Sequence, residues 1–407
     1  MRKGFLKFRN FWGIAACLLC LTACEEEEQT KGGTETEKEA TILVYMVGEN
    51  DLSSYLETNI ANMMSGYEMS DVSANILVYM DIDEQPELYL IDKNVNGTPR
   101  KSLVKTYADQ MAVDPEVMNK VINEVFQTYP SKRKALILSS HADGSLYQQN
   151  TISKRSFGME KKDGIYYGMN VTDLKDGLEN IPYLDVLMFD ACLMANVETA
   201  FELRDCAHYM LAAPNSVPAE GFPYHKIMPD LLKMDEASLK KVLDGYMYYF
   251  HHNNVQWDDF VAISLTDLTK MDQVALEMDS LSRVDGVEER IDRLVAANIQ
   301  MYELGYELYD CGNWLDSIGG GSGQLQNVKT ALEQAVVYKL HSDYASVSDW
   351  GTLRLPITDE RYSGLNTNLP DLYITTQEVR QRRFFVTLDW YRSAGLWRFP
   401  VYNAYEE

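Results

Sequence analysis

The sequence predicts an α/β fold, with a doubly wound, mostly parallel sheet flanked by helices and a C-terminal elaboration of helices and short strands. Three observations carry this. Six apolar runs read as strands covered on both faces. Helical stretches separate several of them, and strand–helix alternation builds a parallel sheet. After about residue 267 that alternation stops.

The strand runs are Thr41–Val47, Ala74–Met80, Lys134–Ser139, Leu184–Phe189, Ala207–Ala212 and Phe260–Leu265. Helices are expected near 51–66, 115–128, 171–180 and 192–205. Glu87–Ile91 and Ser102–Thr106 flank Asn96-Gly97, which marks a hairpin inserted after the second strand. Residues 267–340 read mostly as helix. The run Gly319–Gly323 lacks the Lys-Ser/Thr of a phosphate loop and reads as a linker turn. Residues 347–407 return to short strands and turns rich in Tyr and Trp. The expected division is therefore 1–23, 24–40, a main α/β domain over 41–266 and a C-terminal region over 267–407.

Residues 1–23 read as a secretory signal: Arg2, Lys3, Lys7 and Arg9, then the short apolar stretch Phe11–Leu21. Leu21-Thr22-Ala23-Cys24 is similar to a bacterial lipobox, which makes Cys24 the expected lipidation site and first mature residue. Residues 24–40 are polar and aperiodic, and read as an acidic flexible tether. Lipid supplies the membrane attachment. Acidic residues directly after Cys24 resemble the export signal of surface lipoproteins, so the expected location is the bacterial cell envelope, at the outer membrane.

The 407 residues carry 37 Lys+Arg against 61 Asp+Glu, a formal charge of −24. This excludes the basic face that nucleic acid requires. It also excludes electrostatic docking on anionic lipid. Cys17 and Cys20 leave with the signal and Cys24 takes the lipid, so Cys192, Cys206 and Cys311 remain, an odd number. At least one is unpaired within the chain in an oxidising compartment, and is a candidate nucleophile.

In open α/β sheets the reactive groups sit beyond the carboxyl ends of the strands. The third strand ends in Ser139-Ser140-His141-Ala142-Asp143-Gly144, and the fourth in Asp190-Ala191-Cys192. A thiol and an imidazole thus leave one sheet edge from consecutive strands. The thiolate is the nucleophile and a nearby imidazole moves its proton. Cys192 is also expected to open a helix, whose N-terminal N–H groups favour thiolate and oxyanion.

The segments TILVYMVGENDL (41–52), ALILSSHADG (135–144), FDACLMANVETAFELRD (189–205) and AAPNSVPAEGFPY (212–224) resemble the clostripain family of cysteine peptidases, in the caspase-like clan with gingipains and legumains. The resemblance covers about 41–265 well and the tail more loosely. It implies a caspase-like fold and a His/Cys dyad at His141 and Cys192. It also implies cleavage of a protein or peptide substrate after Arg or Lys. Asp190 matches the family's acidic position, although a carboxylate at a strand end also accepts backbone N–H groups. Glu220 is a candidate second acid and Asn50 a candidate cleft residue, with Asn50 or Asp51 also suited to capping the next helix. The oxyanion donors fall on the backbone of Ala142 and Cys192. Ala142 stands where the family usually has Gly; it keeps the N–H and adds a methyl.

No cofactor and no metal centre are expected. Relatives can bind calcium, but Asp81-x-Asp83-Glu84 is too sparse for a site. Relatives can also be activated by self-cleavage. The long polar stretch between His141 and Cys192 holds Lys154, Arg155, Lys161 and Lys162, the candidate cleavage points. The rival reading is a catalytically silent member of the family acting as a surface binding protein. Its 26 Tyr and 6 Trp would line a peptide or glycan surface.

Overall fold

The computed structural model describes residues 37–82, 85–145, 156–253, 260–292, 299–302, 308–347, 354–369 and 383–403. The expected signal, Cys24, Asp83, Glu84, Lys154 and Arg155 lie outside these. Glu37–Glu407 form one compact unit.

Within it the elements run β1 (Lys38–Val47), α1 (Ser53–Glu68), β2 (Ala74–Asp81), β3 (Glu87–Lys93), β4 (Pro99–Thr106), α2 (Pro115–Thr128) and β5 (Ser131–Ser139). Then come β6 (Phe157–Lys162), β7 (Ile165–Met169), α3 (Val171–Gly177), β8 (Leu184–Asp190), α4 (Val197–Glu202) and β9 (Ala207–Ala212). α5 (Tyr224–Leu231), α6 (Glu236–Asn253), β10 (Ala262–Asp267), α7 (Met271–Leu281) and α8 (Val287–Asp292) follow. The chain continues through β11 (Leu308–Asp310), α9 (Cys311–Gly319), α10 (Gly323–Ala335), β12 (Val336–His341) and the short strands β13 (Tyr344–Val347), β14 (Arg354–Pro356) and β15 (Asn366–Asn368).

Nine strands form the main sheet, in the order β12-β10-β9-β8-β5-β1-β2-β3-β4. The strands from β2 to β9 through β1, β5 and β8 are parallel. Their central segments, such as Ile42–Val47, Ile76–Met80 and Ala135–Leu138, are continuously apolar because both faces are covered there. Leu43, Tyr45 and Val47 enter one core with Met118, Val121 and Ile122 of α2. Ile42, Val44 and Met46 enter the other with Leu56, Ile60 and Met63 of α1 and with α5 and α6. This period of two, buried on both sides, fixes the register. Helix α2 starts where the sequence says it should. Asp114 accepts the Glu116 N–H and Pro115 opens the first turn.

Three expectations change. The sheet begins at Lys38, so the last residues of the expected tether belong to β1. The sixth run is antiparallel, not parallel: Ser264 pairs with Ala212 at the start of β10 and the end of β9. Helices α5 and α6 join these strands and return the chain to the carboxyl edge of the sheet. Part of the polar stretch before Cys192 is an ordered hairpin, β6–β7, turning on Asp163 (φ 51°) and Gly164 (φ 79°). The C-terminal region contributes β12 to the main sheet through antiparallel pairing with β10. The run Gly319–Gly323 is a turn between α9 and α10, with Gly320 in the left-handed region and Ser322 capping α10.

Candidate active site

Four strand ends meet in one cleft of about 110 Å³. Its lining includes Leu52, Leu56 and Asn59 from the first strand–helix connection, and Ser139–His141 from the end of β5. Asp190, Ala191 and Cys192 follow β8, and Val217–Ala219 with Gly221 follow β9. His141, Cys192 and Asp190 are thereby gathered into a single site.

The His141 ring is held from α1's approach: its Nε2 lies 2.7 Å from Asp51 Oδ1. Asp51 is largely exposed, and the imidazole contact holds its carboxyl below the usual carboxylate range. A carboxylate at Nε2 requires the proton there and leaves Nδ1 as the basic nitrogen. The backbone around the ring is pinned as well. Ser140 Oγ donates to Val47 O at 2.6 Å, and Gly158 N donates to His141 O at 2.9 Å.

Cys192 does not open a helix. Leu193 takes a left-handed φ of 62°, and α4 begins only at Val197, capped by Asn196, whose Oδ1 accepts the Thr199 N–H. A bulky residue there is strained. The turn is held by Leu193 N to Asn215 O at 3.0 Å and Asn196 Nδ2 to Leu193 O at 2.7 Å. In place of helix N–H groups, the sulfur receives the Val217 N–H at 3.3 Å. Burial pushes the thiol of Cys206 up to about 12 and that of Cys311 well above its ordinary value. Of the three, Cys192 is the one in the cleft.

Ala142 is buried in the core and does not have a left-handed φ, so its methyl is accommodated without backbone strain. Among the described residues no acceptor takes its N–H. Asp190 is buried, with Oδ2 accepting from Tyr224 OH at 2.7 Å and Ser139 Oγ at 3.4 Å. The Phe222 N–H also binds it, and burial still pushes its carboxyl up to about 6. Both readings of Asp190, cleft acid and strand-end acceptor, therefore describe one residue.

Two candidates sit differently from expectation. Asn50 is committed to backbone. Its Nδ2 donates to Val47 O and Met159 O, and its Oδ1 accepts the Leu52 N–H. Its side chain is engaged by these three backbone groups, in keeping with its expected role at the start of the next helix. Glu220 borders the cleft, but the lining is formed by its neighbours Ala219 and Gly221. Lys161 and Lys162 lie in β6, paired with Tyr166 and Ile165 of β7.

The sequence reading missed the brace on the cysteine loop. Asn366 N donates to Ala195 O, and Asn366 Nδ2 donates to Pro214 O, both at 2.9 Å. Glu198, fully buried in α4, accepts from Thr367 Oγ1 at 2.7 Å, Asn368 N at 3.0 Å and Ser145 Oγ at 3.4 Å. One carboxyl thus joins the histidine loop, the helix after the cysteine loop and the C-terminal strand. No local pattern signals a contact across so much chain.

A profile of the clostripain family matches residues 44–395. Clostripain of Hathewaya histolytica is 24% identical over 349 residues, 72% of this chain and 65% of that protein. This chain therefore spans just under two thirds of that relative. Among solved structures, a secreted cysteine protease of Bacteroides thetaiotaomicron bound to an irreversible peptide inhibitor is 25% identical, with a TM-score of 0.75. An inactive protease zymogen of Parabacteroides distasonis is 25% identical, with a TM-score of 0.72. Each alignment covers 88% of this chain and 99% of the other. With a match across most of its length, a mostly parallel sheet flanked by helices, and its thiol and imidazole in one cleft at the carboxyl edge, the chain belongs to the clostripain family.

Proposed function

We propose that this protein is a lipid-anchored cysteine endopeptidase that cuts after Arg or Lys. The observation that carries the reading is the convergence of Cys192, His141 and Asp190 in one cleft of a clostripain-family fold. Cys192 Sγ attacks the scissile carbonyl carbon, and His141 takes the thiol proton and returns it to the leaving amine. The N–H groups of Ala142 and Cys192 receive the oxyanion. Asp190 supplies the fixed anion for a cationic side chain, with Glu220 at the rim adding negative potential. Cys24 carries the lipid and places the enzyme on the bacterial envelope. Among the described residues no helix is long and apolar enough to cross a membrane.

The test uses fluorogenic peptides ending in Arg, Lys or Ala. The wild type is expected to cut the first two, and Cys192→Ala to lose that activity while keeping its melting temperature. Wild-type turnover in the mutant would overturn the assignment. A folded wild type with no turnover at all would favour the silent binding protein.

A further inference from the structure

Two buried carboxyls face the same backbone N–H beside the histidine loop. Asp81 ends β2 and is 2% exposed; Glu160 lies in β6 and is 4% exposed. The Ala112 N–H serves both, and the Val113 N–H donates to Glu160 Oε2 at 3.1 Å. Asp81 Oδ2 is buried and has no hydrogen-bond partner among the described residues. Burial first, then the charges of Glu160 and Glu49, pushes Asp81 up to about 8. Burial and Glu49 push Glu160 up to about 7.

The surroundings offer little relief. Asp109 adds negative charge at Asp81. Tyr45 and Tyr79, stacked at 4.5 Å, also face the pair. The Tyr45 hydroxyl donates to Ala112 O at 2.9 Å, and Tyr79 OH accepts from Gln110 Nε2 at 3.1 Å. Lys162 favours the ionised form of Glu160, but its ammonium lies 3.7 Å from Asp109. Two carboxylates in one dry site do not both ionise readily, so the pair keeps a proton at neutral pH.

The two residues before Glu160 hold the histidine loop. Gly158 N donates to His141 O at 2.9 Å, Met159 N donates to Ser140 Oγ at 3.2 Å, and Met159 O accepts from Asn50 Nδ2 at 2.7 Å. Ser140 and Asn50 are the chain neighbours of His141 and Asp51, whose side chains meet at 2.7 Å. Gly158 (φ 83°) permits close approach on the other flank, since a Cβ there would lie 2.7 Å from Val113 Cγ1. β6 is thus wedged between the 112–113 turn and the histidine loop, with Glu160 as its anchor on the turn.

We propose that Asp81 and Glu160 are positioning residues for the reaction: the pair shares a proton, and in that state it seats β6 against the histidine loop and keeps His141 in the cleft. This rests on the assignment of His141 to the dyad above. When the last proton leaves, two like charges compete for one N–H and β6 loosens. Both folded pKa values are raised, so the seated state is favoured at low pH and lost as pH rises through about 7 to 8.

The experiment measures kcat and KM from pH 5 to 10 for wild type, Asp81→Asn and Glu160→Gln, with melting temperatures at pH 6. It also measures amide hydrogen exchange of residues 157–162 in the wild type at pH 6 and pH 9, corrected for intrinsic exchange. Each variant keeps a neutral hydrogen-bonding group beside one carboxyl, so the pair never carries two charges. The wild type should lose kcat on the alkaline side with KM little changed. Both variants should hold kcat about one pH unit further, roughly a tenfold advantage at pH 9. Protection of 157–162 should fall about tenfold between pH 6 and pH 9. A merely structural pair would lower the melting temperature of the variants without moving the alkaline limb. The same limb in all three proteins, or protection that does not respond to pH, overturns the proposal, and the exchange measurement decides alone where a variant does not fold. A folded wild type without turnover, whose exchange still responds to pH, overturns the peptidase reading and the role in the reaction with it.

Discussion

The carboxyl of Glu198 and the hydroxyl of Thr367 meet at 2.7 Å, across 169 residues of chain. Through this contact the C-terminal region grips the segment that follows Cys192. The same carboxyl reaches Ser145, four residues beyond His141. The segments that follow His141 and Cys192 are thus held together by one buried carboxyl.

Glu198 is fully buried, and burial raises its carboxyl to about 7. A group whose folded pKa is raised stabilises the fold below its unfolded value near 4.5, and that contribution is lost as pH rises through 7. The loss at full ionisation is on the order of 3 kcal/mol. Glu198→Gln copies the neutral form and keeps an acceptor for Thr367. It should match wild type in melting temperature at pH 5 and exceed it at pH 8. A constant gap between the two proteins across this range would remove Glu198 from the pH dependence.

Asp51 holds His141 at 2.7 Å, but its side chain is 81% exposed. Exposed pairs contribute little, typically about 0.2–1 kcal/mol. Asp51→Asn should therefore lower kcat by no more than about fivefold and leave KM and melting temperature unchanged. Asp51→Ala, which frees the ring altogether, should cost more in kcat. Equal, negligible effects from both substitutions would show that the contact does not orient the imidazole.

Self-cleavage is expected between His141 and Cys192, after Lys154 or Arg155 and not after Lys161 or Lys162. A protease binds its substrate as an extended strand with free edges. β6 is already paired with β7, and Lys162 contacts Asp109 at 3.7 Å. Ser145 and Ser156, which bracket residues 146–155, are both buried, so the ends would stay in place after a cut. Intact mass of wild type against Cys192→Ala checks this: a break after 154 or 155 should occur in the wild type alone. Cleavage that disappears in Lys161→Ala/Lys162→Ala would place it in the hairpin. A wild type that stays uncut and active would end the activation role.

Much of the molecule follows from local sequence. The both-faces-buried strands, the Asn96-Gly97 hairpin and the Asp114-Pro115 start of α2 are each written in a handful of adjacent residues. Their physics is short-range: a period of two, a left-handed turn and a cap. Placing His141 and Cys192 at one edge needs only the rule that parallel strands end on the same side. The direction of β10 was decided elsewhere, because it depends on how α5 and α6 pack before the chain re-enters the sheet. The start of α4 was also misread. A strained Leu193 is tolerated only because Asn215 and Asn196 hold it, and no propensity encodes that support. The roles of Asp51, Glu198 and Asn366 belong to tertiary structure entirely. A buried polar group takes its meaning from partners that the folded chain brings within 3 Å, and those partners lie as far away as residue 367 is from residue 198.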